Sequence, residues 1–374
     1  MHIGIISVAP PYRGGISKHT SVLYEELLKT HNVEIINYSR QYPSFLFPGK
    51  SQYLPEYKNT ILGKLLLDSI NPLSWGVTAK YIISIKFDLL IFVYWHPFFA
   101  LPLGTIASYI KKKCPSIKLI SLCHNVLPHE KIPLNFYFAR YFIKKMDGHL
   151  LQSDQTEKEI KQLSPDLITE KRYHPLYNNF PGLMKKIDAK QYFKLSGKKI
   201  ILFFGIIRSY KGFDVLLKTL SLIREKNRFH LLVAGECYDN KKTYINLVEK
   251  YNISNSITWH NKYIADEDIV KYFSAADVVV LPYKNASQSG IAQIAYNYNI
   301  PIVVTKVGGL AEIVIDGKSG LIIRPGHPEE LASAIETICI EETNNKMRKF
   351  IVKYKKQFSW RNFVNGIEEI YLKI

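Results

Sequence analysis

Ile201-Leu202-Phe203-Phe204-Gly205-Ile206-Ile207-Arg208-Ser209-Tyr210-Lys211-Gly212 is the stretch on which the reading of this chain turns. An apolar run of buried-strand character meets a glycine. An arginine and a lysine follow, three residues apart, and Phe213-Asp214-Val215-Leu216-Leu217 opens a helix. That order sets two fixed cations and a helix N-terminus at the carboxyl end of a strand. In an open α/β sheet ligands bind at that end, and a helix N-terminus favours phosphate. The stretch narrows the function to handling a phosphate-bearing small molecule.

The same strand–helix alternation extends outward on both sides. Strands are expected at 199–204, 229–234, 257–260, 278–282, 301–305 and 320–324, with helices at 213–226, 243–251, 267–275 and 329–340 between them. In the first half, strands are expected at 2–8, 33–38, 89–95, 118–124 and 149–152. A helix is expected over 17–29, where Val22, Leu23, Leu27 and Leu28 keep helical spacing. Near-continuous apolar strands alternating with helices imply parallel sheets covered on both faces. The expected fold class is α/β: two Rossmann-like domains whose parallel sheets face an interdomain cleft. The expected domains are 1–182 (N-terminal) and 195–357 (C-terminal). The segment 177–182 breaks the pattern and marks the linker. A last helix in 358–374 is expected to pack back on the N-terminal domain.

At 374 residues, two domains are the natural count. Hydrophobic content of 47% with 22% charge excludes long disorder. The net charge of +18 points to nucleic acid, an anionic membrane face or an anionic substrate, against the plainer reading of a solvated lysine-rich surface. Nucleic acid is set aside because no RRM, KH or helix-turn-helix signature is present. Cys114, Cys123, Cys237 and Cys339 are scattered, with no CxxC and no spacing with histidines that would suit zinc; a reducing cytosol fits. The start of the chain lacks a basic n-region and a cleavage site, so no signal peptide is expected. The apolar stretch 87–110 is broken by Asp88, Pro97, Pro102 and Gly104 and reads as strand, turn and helix start rather than a membrane span.

Several further loops are candidates for the site. Pro10-Pro11-Tyr12-Arg13-Gly14-Gly15-Ile16-Ser17 follows the first strand and opens a helix; Gly14 and Gly15 let backbone N–H groups approach a ligand, or simply make a strand–helix turn. The absence of GxGxxG argues against nicotinamide or flavin. His124 ends another strand, where it can hydrogen-bond a sugar hydroxyl or phosphate, or be a satisfied structural histidine. His129 and Glu130 follow and bound a loop. Arg208 can grip a diphosphate bidentately and Lys211 acts on it as a point charge. Asn285-Ala286-Ser287-Gln288-Ser289-Gly290 leads into a helix; its small residues, with Gln288 and Gln293, suit phosphate or hydroxyl contacts or a capped helix start. Gly308-Gly309-Leu310-Ala311-Glu312 is expected to start another helix, with Glu312 facing the ligand or favouring its own helix terminus. Asp266-Glu267-Asp268 reads as a helix cap, not a metal site. Leu134–Lys145 mixes aromatics with cations, which suits a membrane interface or a core helix with a basic outer face; Lys111-Lys112-Lys113 adds to an anionic-lipid attraction.

These motifs, in this order and spacing, resemble the retaining glycosyltransferases of family 4, which have the GT-B fold. The matching residues are Phe204-Gly205 with Arg208 and Lys211-Gly212; Leu231-Leu232-Val233-Ala234-Gly235-Glu236; Ala276-Asp277-Val278 through Pro282; and Pro301 through Gly308-Gly309-Leu310-Ala311-Glu312 to Asp316-Gly317-Lys318-Ser319-Gly320-Leu321. Gly14-Gly15 and His124 stand where the family keeps its glycine loop and active-site histidine. The resemblance implies a nucleotide-diphospho-sugar as co-substrate, no metal or other cofactor, and transfer with retention to a saccharide or lipid-linked saccharide. It implies that Arg208 and Lys211 hold the diphosphate, that His124 touches the donor sugar and that Gly15 lies against the phosphates. Gly205, Gln288, Ser289, Gly290, Gln293 and Glu312 complete the expected donor site. The chain departs from the family in one place. Two glutamates, eight positions apart, are usual in the region 286–294; neither is present, and Gln288 or Gln293 is left to make neutral hydrogen bonds instead. The first 185 residues carry 22 Lys and Arg against 13 Asp and Glu. With that charge, the protein is expected in the cytoplasm, peripheral on the inner face of the cell membrane.

Overall fold

Buried Val, Ile, Leu and Phe on successive strands leave no polar face, so each sheet has to be covered by helices on both sides. The computed structural model describes residues 1–44, 47, 51–54, 60–127, 133–177 and 179–374; His129, Glu130 and Asn178 lie outside them. The chain divides into two units: Met1–Tyr173 with Trp360–Ile374, and His174–Ser359.

The first unit runs β1 (His2–Ile6), α1 (Gly15–Leu28), β2 (Asn32–Arg40), β3 (Lys64–Asp68), α2 (Pro72–Ile85), β4 (Leu89–Tyr94), α3 (Ala100–Lys113), β5 (Lys118–Cys123), α4 (Pro133–Ile143), β6 (Gly148–Leu151), α5 (Asp154–Leu163) and β7 (Ile168–Lys171). All seven strands pair in parallel in the order β3-β2-β1-β4-β5-β6-β7. One apolar core, with Leu103, Ile106 and Phe142, lies under α2, α3 and α4. The opposite one, with Val22, Leu23 and Leu27, lies under α1.

The second unit runs α6 (Lys186–Tyr192), β8 (Lys199–Phe204), α7 (Phe213–Leu222), β9 (Phe229–Ala234), α8 (Lys241–Lys250), β10 (Ile257–His260), α9 (Asp266–Ala275), β11 (Val278–Leu281), α10 (Gly290–Asn297), β12 (Ile302–Thr305), β13 (Gly320–Ile323), α11 (Pro328–Cys339) and α12 (Glu341–Tyr354). Its six strands are also all parallel, ordered β10-β9-β8-β11-β12-β13. Asp277, before β11, anchors α6 by accepting from Lys186 (2.5 Å), Lys190 (2.9 Å) and the Ile200 amide (2.7 Å).

The last helix, α13 (Trp360–Lys373), belongs to the first unit. Trp360, Phe363, Ile367 and Ile370 fill the core beneath α1. Arg172 fastens it, donating to the Glu369 carboxylate (2.6 Å) and the Asn362 carbonyl (3.3 Å). Both units are Rossmann-like, and in each the strand order reverses direction beside the first strand, between β1 and β4 and between β8 and β11. Ligands of doubly wound sheets bind at that switch point.

Candidate functional site

In the second unit the loops after β8 and β11 meet at the switch point. The Lys284 amide donates to the Tyr210 carbonyl (2.6 Å), and a β-carbon on Gly212 would stand 2.0 Å from the Pro282 carbonyl. The loop after β9 joins them: the Gly205 amide donates to Ala234 (2.8 Å), and the Ile207 amide to Glu236 (2.8 Å). The loop after β12 closes in as well. Gly308, at φ 43°, passes so near Ala286 that a β-carbon would lie 1.8 Å from its carbonyl oxygen. Four strand ends therefore converge through backbone-to-backbone packing.

Lys211 is the charge held inside this frame. Its side chain is buried, and its ammonium reaches 3.4 Å from where a β-carbon on Gly205 would be. It lies 5.5 Å from the centre of the Tyr283 ring. No hydrogen bond or ion pair holds it among the described residues. Burial lowers its pKa from the ordinary lysine value, the nearby Tyr210 raises it, and the neighbouring Arg208 lowers it further. An ammonium in that position gains most from an anion. Arg208 differs: it is exposed, and its guanidinium carbon lies 5.8 Å from the centre of the Tyr238 ring.

Ser289 caps α10 without a side-chain hydrogen bond to the helix; its hydroxyl lies 3.4 Å from that of Tyr283. Gly290 leaves space for Tyr177, whose ring edge would be 3.1 Å from a β-carbon there. Ile291, next in the helix, reaches 3.4 Å from the same Gly205 position as Lys211, so the first turn of α10 borders the Lys211 pocket. Gln293 is buried one turn further on, and its Oε1 has no hydrogen-bond partner among the described residues. Gln288 lies in the loop ahead of α10. Burial pushes the Tyr283 phenol up to about 12, so it stays a neutral donor.

Two expectations need correcting. Gly308–Leu310 is a single 3-10 turn and not the start of an α-helix. The chain there has only a short span before the Asp316–Gly320 bridge leads into β13, and Glu312 sits half-buried in it. Asp266 is also not a cap. Ala265 holds the cap position without a side-chain bond, and Asp266, Glu267 and Asp268 occupy the first turn of α9, where their charge favours the helix N-terminus.

In the first unit, the loop between β1 and α1 is held by Asn37. Its side-chain amide donates to the carbonyls of Ala9 (3.1 Å), Pro10 (3.0 Å) and Leu62 (3.0 Å) and accepts from the Ala9 amide (3.1 Å). Gly14 caps α1 at φ 122°, with open space around its α-carbon, and Gly15 is the first helical residue. His124 follows β5, is 2% exposed, and meets the ring of His19 edge-on at 4.7 Å. His19 lies one helical turn beyond Gly15, so α1 joins the glycine loop to His124. His19, Tyr177, Tyr238 and Asn37 were not among the sequence candidates. Only Asn37 carried a signal, as a polar residue inside an apolar strand.

Residues 184–358 match the family model described as glycosyl transferases group 1. An uncharacterized glycosyltransferase of Methanocaldococcus jannaschii is 27% identical over 99% of this chain and 98% of its own length. A D-inositol 3-phosphate glycosyltransferase of Corynebacterium aurimucosum is 27% identical over 46% of this chain, which spans 42% of that relative. Among solved structures, sucrose-phosphate synthase of Thermosynechococcus elongatus superposes with a TM-score of 0.78 at 19% identity, covering 100% of this chain and 98% of its own. The Anabaena protein HepE in complex with UDP gives 0.78 at 16% identity, covering all of both chains. The second unit thus carries a group 1 glycosyltransferase domain on a GT-B fold. Over nearly its whole length the chain is similar to the Methanocaldococcus jannaschii glycosyltransferase, and its two Rossmann-like units share the fold of the solved structures.

Proposed function

We propose that this protein is a retaining, family 4-like hexosyltransferase. It moves a sugar from a nucleotide-diphospho-sugar to a hydroxyl of a saccharide or lipid-linked saccharide, without a metal ion. One observation carries this reading: a buried ammonium, Lys211, with no hydrogen bond or ion pair among the described residues, at the switch point of the group 1 domain. Neighbours of the same fold were solved with UDP and with UDP-glucose, which supports a nucleotide-sugar donor.

Lys211 would meet the diphosphate from inside, with the Arg208 fork reaching it from the exposed side. The first turn of α10 would add N–H groups from Gly290 onward. As the glycosidic bond breaks, negative charge grows on the leaving diphosphate, and fixed positive charge stabilises it without reorganisation. The acceptor hydroxyl attacks from the same face, and its proton passes to the leaving phosphate oxygen. His124, backed by His19, would hydrogen-bond the donor sugar, and the glycine loop at Gly14 and Gly15 would lie against the phosphates. Gln293 has a buried carbonyl oxygen to offer a sugar hydroxyl; Gln288, Ser289 and Glu312 complete the donor contacts. The acceptor would be a growing surface glycan met at the inner face of the cell membrane. Among the described residues no helix is long and apolar enough to cross a membrane.

The absence of both glutamates from 286–294 favours a second reading, a sugar-nucleotide-binding protein without turnover. Incubation with UDP-, GDP- and ADP-sugars and a panel of saccharide acceptors separates the two. A product with the donor's anomeric configuration, seen by NMR, supports the transferase. Tight binding with no product across the panel supports the binding protein.

A further inference from the structure

The layer formed by α2, α3 and α4 has an unusual outer face. These helices pack side by side over one face of the first unit's sheet. A surface helix normally turns its apolar stripe inward and its charges outward. In α4, Ala139, Phe142 and Ile143 already fill the core, yet a second stripe at helical spacing looks outward: Leu134, Tyr137, Phe138 and Tyr141. Leu134 and Tyr137 are 61% and 67% exposed. Leu73 and Val77 do the same on α2, at 81% and 58%, and Leu101 and Tyr109 on α3.

The charged residues of these three helices are all cations, and one of them, Lys111, is paired with Asp147 beyond α4. The sequences of α2, α3 and α4 contain no Asp or Glu. The cations gather toward the helix C-termini: Lys112 and Lys113 end α3, while Arg140, Lys144 and Lys145 end or follow α4. Lys145 lies 5.6 Å from the centre of the Tyr141 ring, so the aromatic stripe runs directly into the basic one. Because every β-strand here is parallel, the three helices point the same way. Their apolar N-terminal halves stand at the sheet edge that holds the glycine loop and His124.

We infer that the outer face of α2, α3 and α4 docks on an anionic lipid bilayer, with its leucines and tyrosines in the acyl boundary and its lysines among the headgroups. An apolar stripe alone would suit many partners, and a basic patch alone would suit any polyanion. The two together, on three helices whose own residues include no Asp or Glu, match a surface that is apolar beneath and negative above. The inference deepens the membrane-face reading proposed above and rests on it for its role, which is to set the first unit's ligand edge beside a lipid-linked acceptor. Its test is read without any transfer.

The experiment is co-sedimentation of the full chain with vesicles of phosphatidylcholine alone and of phosphatidylcholine with about a third phosphatidylglycerol. The expected result is binding to the second only, weakened by salt. The variant K112E/K113E/K144E should weaken vesicle affinity by roughly fivefold or more per charge, and L134S/Y137S should reduce binding at unchanged charge. Both should keep the parent's circular dichroism and its hydrolysis or transfer with a soluble acceptor. Equal binding to both vesicles, binding unaffected by either variant, or burial of the face in a concentration-dependent dimer would overturn the inference. Salt-sensitive binding to nucleic acid that outcompetes the anionic vesicles would overturn it as well. If the vesicle results hold but no transfer occurs with any donor, the docking surface stands and the transferase reading fails.

Discussion

The Lys211 ammonium lies 3.4 Å from the point where a β-carbon on Gly205 would stand. The glycine that ends β8 thus makes the space into which the buried lysine of the next turn folds. Its φ of 98° is a conformation that side chains rarely adopt, so the strand end and the charge are set by one residue.

Lys211→Met should abolish most transfer, on the order of 100-fold, as for removal of one fixed group from a charge-stabilising site. The melting temperature should hold or rise without ligand, because a buried ammonium lacking a hydrogen bond or ion pair costs stability. Its lowered pKa gives a pH signature: donor affinity should fall with rising pH before an exposed lysine would titrate. Steady-state rates check the first, thermal melts the second, and calorimetric titration of UDP against pH the third. A variant that binds and turns over like the parent would remove Lys211 from the diphosphate site.

Gly308→Ala places a β-carbon 1.8 Å from the Ala286 carbonyl and a side chain at φ 43°. The expected loss of stability is roughly 2–4 kcal/mol, from left-handed backbone and clash together. Urea denaturation measures it. Parent-like stability would mean that the loops after β11 and β12 do not approach as described.

Asp277→Asn keeps the shape and removes the charge facing Lys186 and Lys190, at a cost of roughly 3 kcal/mol. Burial alone would raise the Asp277 pKa, but the two ammonium groups pull it below the usual carboxylate value. Its contribution is therefore complete above about pH 4 and is lost only as the pH falls through the folded value. Denaturation of both proteins from neutral to acid pH should show the difference shrinking only at the acid end.

Buried histidines predict a second acid response, at higher pH. Burial lowers His174 to about 4 and His149 to about 3. Unfolded, each takes a proton near pH 6.5; folded, each refuses it. Stability should be full above that pH and decline as it falls toward 4, by roughly 3 kcal/mol for His174 alone. His174→Phe should flatten the decline between these limits in thermal melts. An unchanged slope would count against a neutral buried imidazole.

His124→Ala should lower turnover at least tenfold, while His19→Phe, which keeps an aromatic edge against His124, should lower it less and leave the fold intact. Steady-state rates with one donor and one acceptor compare the two. Full activity in His124→Ala would return this residue to a packing role.

Much of the fold was legible. All six strands of the second unit sit where they were expected; β8, β9, β11 and β12 are apolar runs because strands buried on both faces cannot be polar, while the edge strand β10 is only half-buried. Two strands of the first unit escaped notice. In β3, Lys64 and Leu65 are exposed, and in β7 no residue is fully buried. Both are edge strands, defined by the open side of β2 or β6 and not by their own composition. Helix α12 was also missed; it buries only Asn344, Met347 and Ile351.

The site divides along the same line. Arg208 and Lys211 looked like an equal pair in the chain, three residues apart. Folding sent one to the surface beside Tyr238 and the other inside beside Gly205, a difference in solvation that spacing does not encode. Gln288 and Gln293 were likewise indistinguishable, until folding left Gln288 half-buried ahead of α10 and enclosed Gln293 within the helix. Nothing local marked His19, whose contact with His124 spans 105 residues of chain.

By itself, then, the sequence determined two parallel α/β sheets and the ends of the strands where charge and glycine gather, since those follow from local patterns of polarity and backbone freedom. Which cation is desolvated, which amide is enclosed and which helices lie side by side with their apolar residues outward were decided only by the tertiary structure. Each depends on the packing of segments far apart in the chain, which no local pattern records.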